Sequence, residues 1–220
     1  MENFLKEFLV FFDQENKEEC VKWALGKIKD KTFSIEYLYE EILKEALYTI
    51  DNCREDSHDC IWKEHIKTAI IRTIVECCYP YVVEASENVA KNGKKVLIVC
   101  PEKELHEVAP RMAADIFVLN GFQGIFVGSN TPRLQALAAV KLEKPDYLVI
   151  SVTDYYTVSE AKKMIDLIKS ETNHLEIILA GRGFARNPEV FKDLGVDGYL
   201  GSFRDISELK KEGLGDSTSV

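Results

Sequence analysis

The chain has 220 residues, of which 46% are hydrophobic, so it holds enough apolar side chains for the cores of two domains. Its formal net charge of −9 argues against direct nucleic-acid binding and against an anionic membrane surface, because both attract clustered lysine and arginine. The six cysteines show no regular spacing, and the apolar runs are too short to cross a bilayer. We therefore expect a cytoplasmic protein with reduced thiols.

Residues 1–90 are predicted to form a helical bundle. Apolar residues recur at helical spacing in four stretches joined by short connections, which is typical of a bundle. The third stretch follows Ser34, a residue type that caps helices, and the fourth is expected to end before Pro80. The four apolar stripes are Phe4, Phe8, Phe11 and Phe12; Val21, Ala24, Leu25 and Ile28; Ile35, Leu38, Ile42, Ala46 and Ile50; and Trp62, Ile66, Ala69, Ile70, Thr73 and Cys77.

Residues 91–212 alternate between strand and helix patterns after a polar, glycine-containing junction at residues 88–95. Continuous apolar strands such as Tyr147–Ile150 indicate a parallel sheet covered on both faces. The prediction is an α/β domain with a Rossmann-like, doubly wound, five-stranded parallel sheet, followed by a disordered tail at 213–220. Strands are expected near 95–100, 124–128, 146–152, 175–181 and 198–201, and helices near 109–120, 132–143, 157–171, 186–194 and 203–212.

One histidine follows the first strand of this second half. The strand that ends at Cys100 is followed by Glu104, His106 and Glu107, close to the start of the next helix. A histidine at the carboxyl end of a parallel strand lies where α/β sheets bind their ligands. A carboxylate two residues earlier can accept the proton of one ring nitrogen, which fixes the tautomer and leaves the other nitrogen to bind a metal. His106 is therefore the candidate metal ligand.

Hydroxyl residues and glycines follow later strands. Ser151 and Thr153 come after the third strand, and Gly181 and Gly183 come after the fourth. Taken singly, the hydroxyls are suited to cap a turn and the glycines to adopt a positive φ. Together with the histidine segment, they resemble the signature of the cobalamin-binding domain family, which reads Asp-x-His-x-x-Gly, then Ser-x-Leu or Ser-x-Thr, then Gly-Gly. The resemblance covers roughly residues 60–205.

This resemblance implies a cobalamin bound without its own base. In the family the histidine replaces the nucleotide base as the lower cobalt ligand, and the displaced nucleotide tail enters a slot beside the sheet. His106 is accordingly expected to bind cobalt and Ser151 to contact the buried base. Gly181 and Gly183 are expected to let the tail pass close to the backbone. The cofactor that the resemblance implies is adenosylcobalamin or methylcobalamin.

Three positions depart from the family pattern. Glu104 replaces the aspartate, which lengthens the arm behind the histidine by one methylene. Ala109 replaces the glycine, which adds a methyl group where the loop approaches the corrin. Arg182 separates the two glycines, so a narrower tail slot is expected. None of these changes removes the proposed metal ligand.

The loop after the second strand resembles that of one subgroup. It reads Gly-Ser-Asn-Thr-Pro and includes Asn130, Thr131 and Pro132, where the cobalamin-dependent light sensors have Gly-Ala-Asn-Thr-Pro. Corrinoid methyl carriers more often have an Asp-Val-Pro type of loop. On its own, the segment predicts a helix start with Thr131 as cap and Pro132 at the first helical position.

A Glu-His pair in the helical half resembles the same subgroup. Glu64 and His65 are similar to a segment of the light sensors' bundle that covers the upper face of the corrin. The Trp and His that precede it in the sensors are Arg54 and Glu55 here, so Trp shielding and double-His ligation are not implied. Taken alone, the pair is a solvated helix surface. The full set of expected cofactor contacts is Glu104, His106, Glu107, Val108, Ser151, Thr153, Gly181, Gly183, Asn130, Thr131, Glu64 and His65.

Three functions compete on these observations. The first is a cobalamin-dependent sensor or signalling protein, not itself an enzyme, similar to the light sensors but without their DNA-binding module. Its output would pass through a protein partner or self-association. The second is a corrinoid carrier that passes a methyl group between methyltransferase subunits. The third is a receiver-like domain without cofactor, which Asp146 and Asp154 permit although no acidic cluster ends the first strand.

A zinc site is the weaker interpretation of one further cluster. Cys53, His58, Cys60 and His65 have the spacing Cys-x4-His-x-Cys-x4-His, which matches no common structural zinc module.

Overall fold

The computed structural model describes residues 2–50, 60–172, 174–184 and 194–212. The chain divides between Glu87 and Asn88 into a helical unit and an α/β unit. This is the fold class that the sequence predicts: a helical region followed by an all-parallel five-stranded sheet with helices. The predicted helix at 186–194 and the tail at 213–220 fall on residues outside the described ranges, as do Cys53, Arg54, Glu55 and His58.

The helical unit begins with two helices of similar length, which are followed by a third, longer helical run. Ser34 caps this third run in extended conformation, and its hydroxyl oxygen accepts the Tyr37 N–H at 3.2 Å. That prediction is confirmed. The run includes a π-helical segment, in which Glu40 is buried and forms an ion pair with Lys44. The helices are α1 (Glu2–Asp13), α2 (Lys17–Lys29), α3 (Ile35–Tyr37), the π-helical segment (Leu38–Leu43), α4 (Lys44–Ile50) and α5 (Cys60–Glu87).

The buried face of α5 differs from the predicted stripe. Trp62 and Ile66 are 48% and 38% exposed, whereas Ile70, Ile71 and Ile74 are buried. Burying the β-branched run removes more apolar surface from water than burying Thr73 or Cys77, so the helix turns that face inward. The helix also continues through Pro80 to Glu87, and the predicted end before Pro80 is therefore wrong.

The α/β unit alternates strands and helices along the chain. Its first helix contains Pro110 in the first turn, where a missing N–H removes no intrahelical hydrogen bond. The elements are β1 (Lys95–Pro101), α6 (Val108–Leu119), β2 (Gln123–Thr131), α7 (Arg133–Glu143), β3 (Tyr147–Ser151), α8 (Val158–Glu171), β4 (Glu176–Ala180), β5 (Gly198–Leu200) and α9 (Arg204–Glu212), with short 3-10 helices at Tyr155–Thr157 and Arg182–Phe184.

All five strands are parallel and lie in the order β2-β1-β3-β4-β5. This is a doubly wound order, in which the chain changes direction across the sheet between β1 and β3. β1 and β3 are the most fully covered strands, because Val96–Pro101 and Tyr147–Ser151 are buried throughout. The carboxyl ends of these two neighbours therefore define the crevice where such sheets bind ligands.

Among the helices that the structure describes, none is both long enough and apolar enough to cross a membrane.

Candidate functional site

The loop between β1 and α6 carries the predicted metal ligand at the crevice of the sheet. The chain turns directly after β1, where the Glu104 N–H donates to the Pro101 carbonyl at 3.0 Å. Glu104 is completely buried, while the His106 side chain is 49% exposed. The loop thus holds a carboxylate inside the protein and presents the imidazole at the surface beside it.

The Glu104 carboxylate fixes the orientation of the His106 ring. Its Oε1 atom accepts the His106 backbone N–H at 3.0 Å and lies 2.5 Å from the ring nitrogen Nδ1. An ionised carboxylate can only accept hydrogen bonds, so Nδ1 carries the proton in this contact. The lone pair of the ring is then on Nε2, which is the form of histidine that binds a metal.

The second carboxylate oxygen connects Glu104 to the loop after β3. Its Oε2 atom accepts the backbone N–H groups of Thr153 at 2.8 Å and Asp154 at 2.9 Å. It also accepts the hydroxyl hydrogen of Thr157 at 2.9 Å. The buried charge therefore has donors on both oxygens, which compensates for its removal from water.

These donors keep Glu104 ionised. Burial alone raises the pKa of a carboxyl group and opposes ionisation here. Hydrogen bonds from the His106 ring and from the backbone N–H groups of Asp154 and His106 outweigh burial and lower the pKa of Glu104 to about 2. At neutral pH the site therefore contains a buried anion directly behind the imidazole.

Thr157 and Asp154 are site residues that the sequence interpretation missed. Thr157 is buried in the 3-10 helix after β3, and the Asp154 side chain accepts the Tyr156 N–H at 3.0 Å to start that helix. A hydroxyl three residues after such a capping aspartate was the available signal. It was not sufficient, because the contact with Glu104 spans 53 residues and depends on β1 and β3 being neighbours.

Ser151 and Thr153 occupy different environments. Ser151 ends β3, pairs with Ala180 of β4 and is 4% exposed. Thr153 is half-buried and reaches the site through its backbone N–H. The structure therefore brings Thr153 together with Glu104 and His106, and it places Ser151 in the neighbouring interior of the sheet.

Gly181 and Gly183 lie against the same β3 loop. Gly181 has φ +93, and a Cβ built there would lie 2.3 Å from the Val152 carbonyl oxygen. A Cβ on Gly183 would lie 2.7 Å from Val152 Cγ1, and its N–H donates to the Val152 carbonyl at 2.9 Å. Both glycines are thus required by the close packing of two loops of the protein. The predicted approach of a nucleotide tail to them stays a prediction.

The end of β2 contacts the same histidine loop from the other side. The Asn130 N–H donates to the Glu104 carbonyl at 2.8 Å, and the Ser129 hydroxyl donates to Glu107 Oε2 at 2.9 Å. Val108 begins α6 and is 5% exposed, so it faces the interior. Five of the predicted contact residues are therefore joined by hydrogen bonds at the histidine loop, directly or through Ser129: Glu104, His106, Glu107, Asn130 and Thr153.

Thr131 differs from its predicted role as a helix cap. It is the last residue of β2, and its hydroxyl donates back to the Gly128 carbonyl at 3.2 Å. α7 begins at Arg133, with Pro132 in extended conformation before it. The helix start is thus one residue later than predicted, because Thr131 still belongs to the strand.

Glu64 and His65 belong to the helical unit. They lie in the second turn of α5, where Glu64 is half-buried and His65 is exposed beside the exposed Trp62 and Ile66. For the zinc interpretation, the ranges that the structure describes contain no group of three or more His, Cys, Asp or Glu residues placed to hold a metal ion.

Comparison with known proteins identifies the family of this chain. The family model of the B12 binding domain matches residues 94–209, more than half of the chain. The chain belongs to the B12-binding domain family, and its cofactor is cobalamin. The search of curated proteins found no match to this sequence.

Three solved structures share the fold at low identity. The monomethylamine corrinoid protein of Methanosarcina barkeri is 11% identical with a TM-score of 0.79, over 94% of this chain and 97% of that one. A novel cobalamin-binding protein from Desulfitobacterium hafniense DCB-2 is 16% identical with a TM-score of 0.50, over 94% and 97%. A methanol:cobalamin methyltransferase complex from Methanosarcina barkeri is 15% identical with a TM-score of 0.51, over 96% and 79%.

The described residues fit a cobalt-bound corrin. An imidazole that is half exposed and protonated on Nδ1 is a suitable neutral donor for cobalt, and the buried Glu104 anion raises its basicity. Donors from the loop after β3 already occupy the second carboxylate oxygen, so Glu104 would act on a bound metal only through the ring.

Proposed function

We propose that this protein binds cobalamin with His106 as the lower axial ligand and the nucleotide base displaced from cobalt. The Glu104–His106 contact of 2.5 Å carries the proposal, because it orients the ring and holds the proton on Nδ1. His106 Nε2 is then the atom that binds cobalt. Glu104 stabilises the positive charge that the ring gains when it donates to the metal.

The displaced base is proposed to lie near Ser151. This side chain is buried at the end of β3, on the strand next to the histidine loop. A hydroxyl in such a place can donate to or accept from a base nitrogen. Gly181 and Gly183 shape this region by letting the β4 loop approach Val152 closely.

We further propose that the protein is a corrinoid methyl carrier that works with a methyltransferase. A bound corrin would supply the chemistry, since its cobalt could carry a methyl group to an acceptor. The chain's own contribution is to bind the corrin and to set the strength of the lower ligand through Glu104. The support comes from similar structures, which are described as a corrinoid protein and as part of a methyltransferase complex.

A light-responsive sensor is the second candidate. Its support is the Gly-Ser-Asn-Thr-Pro loop around Asn130 and the Glu64-His65 pair on α5, both similar to the light-sensing subgroup. Arg54 and Glu55 stand where that subgroup has Trp and His, which weakens this candidate and permits the exposed upper face that a methyl carrier would need. In either role the output requires a protein partner or self-association.

The ligand proposal is tested by visible spectroscopy of purified protein titrated with cobalamin. We expect the spectrum of a base-off, histidine-bound cobalamin for the wild type and its loss in His106→Ala. His174→Ala is the matched control, because it removes an exposed histidine just before the amino end of β4, at the opposite edge of the sheet from the histidine loop. An unchanged spectrum and affinity in His106→Ala would contradict the proposal.

A further inference from the structure

The pairing of β1 and β2 becomes irregular where the histidine loop begins. The register shifts between Ile98 and Val99 and again before Pro101, which pairs with Thr131. Pro101 has no N–H to donate, so regular ladder bonds end there. Lys103, two residues after this pair, and Asn130, which directly precedes Thr131, both adopt left-handed backbone conformations, with φ of +71 and +50.

Asn130 bridges this gap with two hydrogen bonds to consecutive residues. Its side-chain Oδ1 accepts the Lys103 N–H at 2.8 Å, and its own N–H donates to the Glu104 carbonyl at 2.8 Å. The partner of the side chain is a donor, which assigns the oxygen of the amide to this contact. Asparagine also tolerates the left-handed conformation better than most residues.

These bonds act on the residue that orients the proposed metal ligand. The Asn130 bonds hold the backbone at Lys103 and Glu104, while the β3 loop holds the Glu104 side chain through Thr153, Asp154 and Thr157. Glu104 is therefore fixed from both of the strands that flank β1. Without the Asn130 bonds the backbone at Glu104 would be free to shift. The Glu104 carboxylate, held by the loop after β3, would then change its position relative to His106.

We propose that Asn130 is a positioning residue, which sets the Glu104–His106 geometry through the loop backbone and does not itself contact the corrin. The inference rests on the proposed function, in which His106 binds cobalt. It departs from the light-sensor resemblance, which implies a cofactor contact for this asparagine.

Three variants separate the side chain from the backbone. Asn130→Gly keeps the left-handed backbone and the N–H but removes the acceptor for Lys103. Asn130→Asp keeps an acceptor oxygen in the same place. Asn92→Gly is the matched control, because Asn92 Oδ1 accepts the Lys94 N–H at 2.9 Å just ahead of the amino end of β1.

The first measurement uses cobalamin-free protein. Nitrogen-15 NMR of the histidine rings at pH 8 reports which nitrogen of His106 carries the proton. We expect the Nδ1–H tautomer to dominate in the wild type, Asn130→Asp and Asn92→Gly, and to lose population in Asn130→Gly. An unchanged tautomer population in Asn130→Gly would overturn the inference.

The second measurement is cobalamin affinity and the visible spectrum. Asn130→Gly should bind roughly two- to tenfold more weakly, the range expected for one lost hydrogen bond, with a larger histidine-off fraction. Asn130→Asp and Asn92→Gly should match the wild type. Weak binding by Asn130→Asp with an unchanged tautomer would mean that the amide touches the corrin, which contradicts the inference. Absence of binding by the wild type would instead contradict the proposed function, and the tautomer result would still test the role of Asn130.

Discussion

Thr157 donates its hydroxyl hydrogen to Oε2 of Glu104 at 2.9 Å, across 53 residues of sequence. The contact joins the loops that follow β1 and β3, which are neighbouring strands at the point where the sheet changes direction. Thr157 therefore belongs to the support of the proposed cobalt ligand, although it lies outside the family signature that the sequence shows.

Thr157→Val removes this donor while keeping the shape of the side chain. We expect a loss of roughly 1–3 kcal/mol in the free energy of unfolding, because a buried carboxylate loses one of its hydrogen bonds. Urea unfolding of the cobalamin-free protein at pH 7 measures the effect. Thr157→Ser keeps the hydroxyl, so its free energy of unfolding should fall clearly less. Equal losses in the two variants would show that packing, and not the hydrogen bond, causes the effect.

The stability of the protein should depend on the charge of Glu104 in acid. The pKa of this carboxyl is about 2 in the folded protein against a reference value of 4.5, so its contribution is complete above pH 4.5 and disappears as pH falls through about 2. Glu104→Gln lacks this contribution at every pH. The free-energy difference between wild type and Glu104→Gln should therefore be larger at pH 7 than at pH 3.

Unfolding of both proteins at a series of pH values gives this difference directly, and the other acidic groups cancel because both proteins contain them. A difference that stays constant from pH 7 to pH 3 would show that the Glu104 pKa is not lowered by folding.

Gly181→Ala should destabilise the protein strongly. The new methyl group would overlap the Val152 carbonyl, and φ of +93 disfavours any residue with a Cβ. We expect a loss of more than about 1 kcal/mol. Gly26→Ala in α2 is the control, since a Cβ there has no neighbour within 4 Å and alanine favours a helix. Equal thermal midpoints for the two variants would be the contrary result.

The nucleotide-slot prediction is tested by comparing two ligands, because a loss of stability would weaken the binding of both. If Gly183 borders the slot, Gly183→Ala should weaken binding of full cobalamin more than binding of cobinamide, which lacks the nucleotide. A Cβ at this position would also meet Val152, so folded fraction must be checked by circular dichroism before titration. Equal weakening of both ligands would place the nucleotide elsewhere.

Two assays distinguish a carrier from a sensor: methyl transfer and the response of the elution volume to light. A carrier should give up a methyl group from bound methylcobalamin to a corrinoid methyltransferase, and its elution volume with adenosylcobalamin should be the same in darkness and after illumination. A sensor should change its elution volume on illumination, because only contacts that differ between the two states shift the population. Glu64→Ala should abolish such a change if the α5 pair senses the upper ligand.

The central strands β1 and β3 could be predicted from the sequence because each is a continuous apolar run. Val96–Cys100 and Tyr147–Ile150 are buried on both faces, and such runs have few alternatives in an α/β chain. The α5 face was predicted only in part: Ile70 is buried as expected, whereas Trp62 and Ile66 share its helical spacing but are exposed. Periodicity defines a stripe without deciding which of two adjacent stripes the core takes.

The site could be predicted only as far as the contact between the proposed ligand His106 and the carboxylate behind it. Glu104 and His106 are two residues apart, so their contact follows from local sequence. The contact of Thr157 with Glu104 depends on the strand order, and the two bonds of Asn130 depend on the irregular pairing at the end of β2. Neither feature can be predicted from the local sequence. The cytoplasmic location expected from the cysteines stays a prediction.

The orientation of the His106 ring has a consequence for the kinetics of cofactor capture. The rotamer of the imidazole is already selected by Glu104 in the cobalamin-free protein, so its conformational entropy is lost during folding and not during association. Encounter with the corrin then requires no search for a competent ring position. Loosening the loop should therefore slow productive capture as well as speed release, a combination that stopped-flow mixing of the Asn130→Gly variant with cobalamin would resolve.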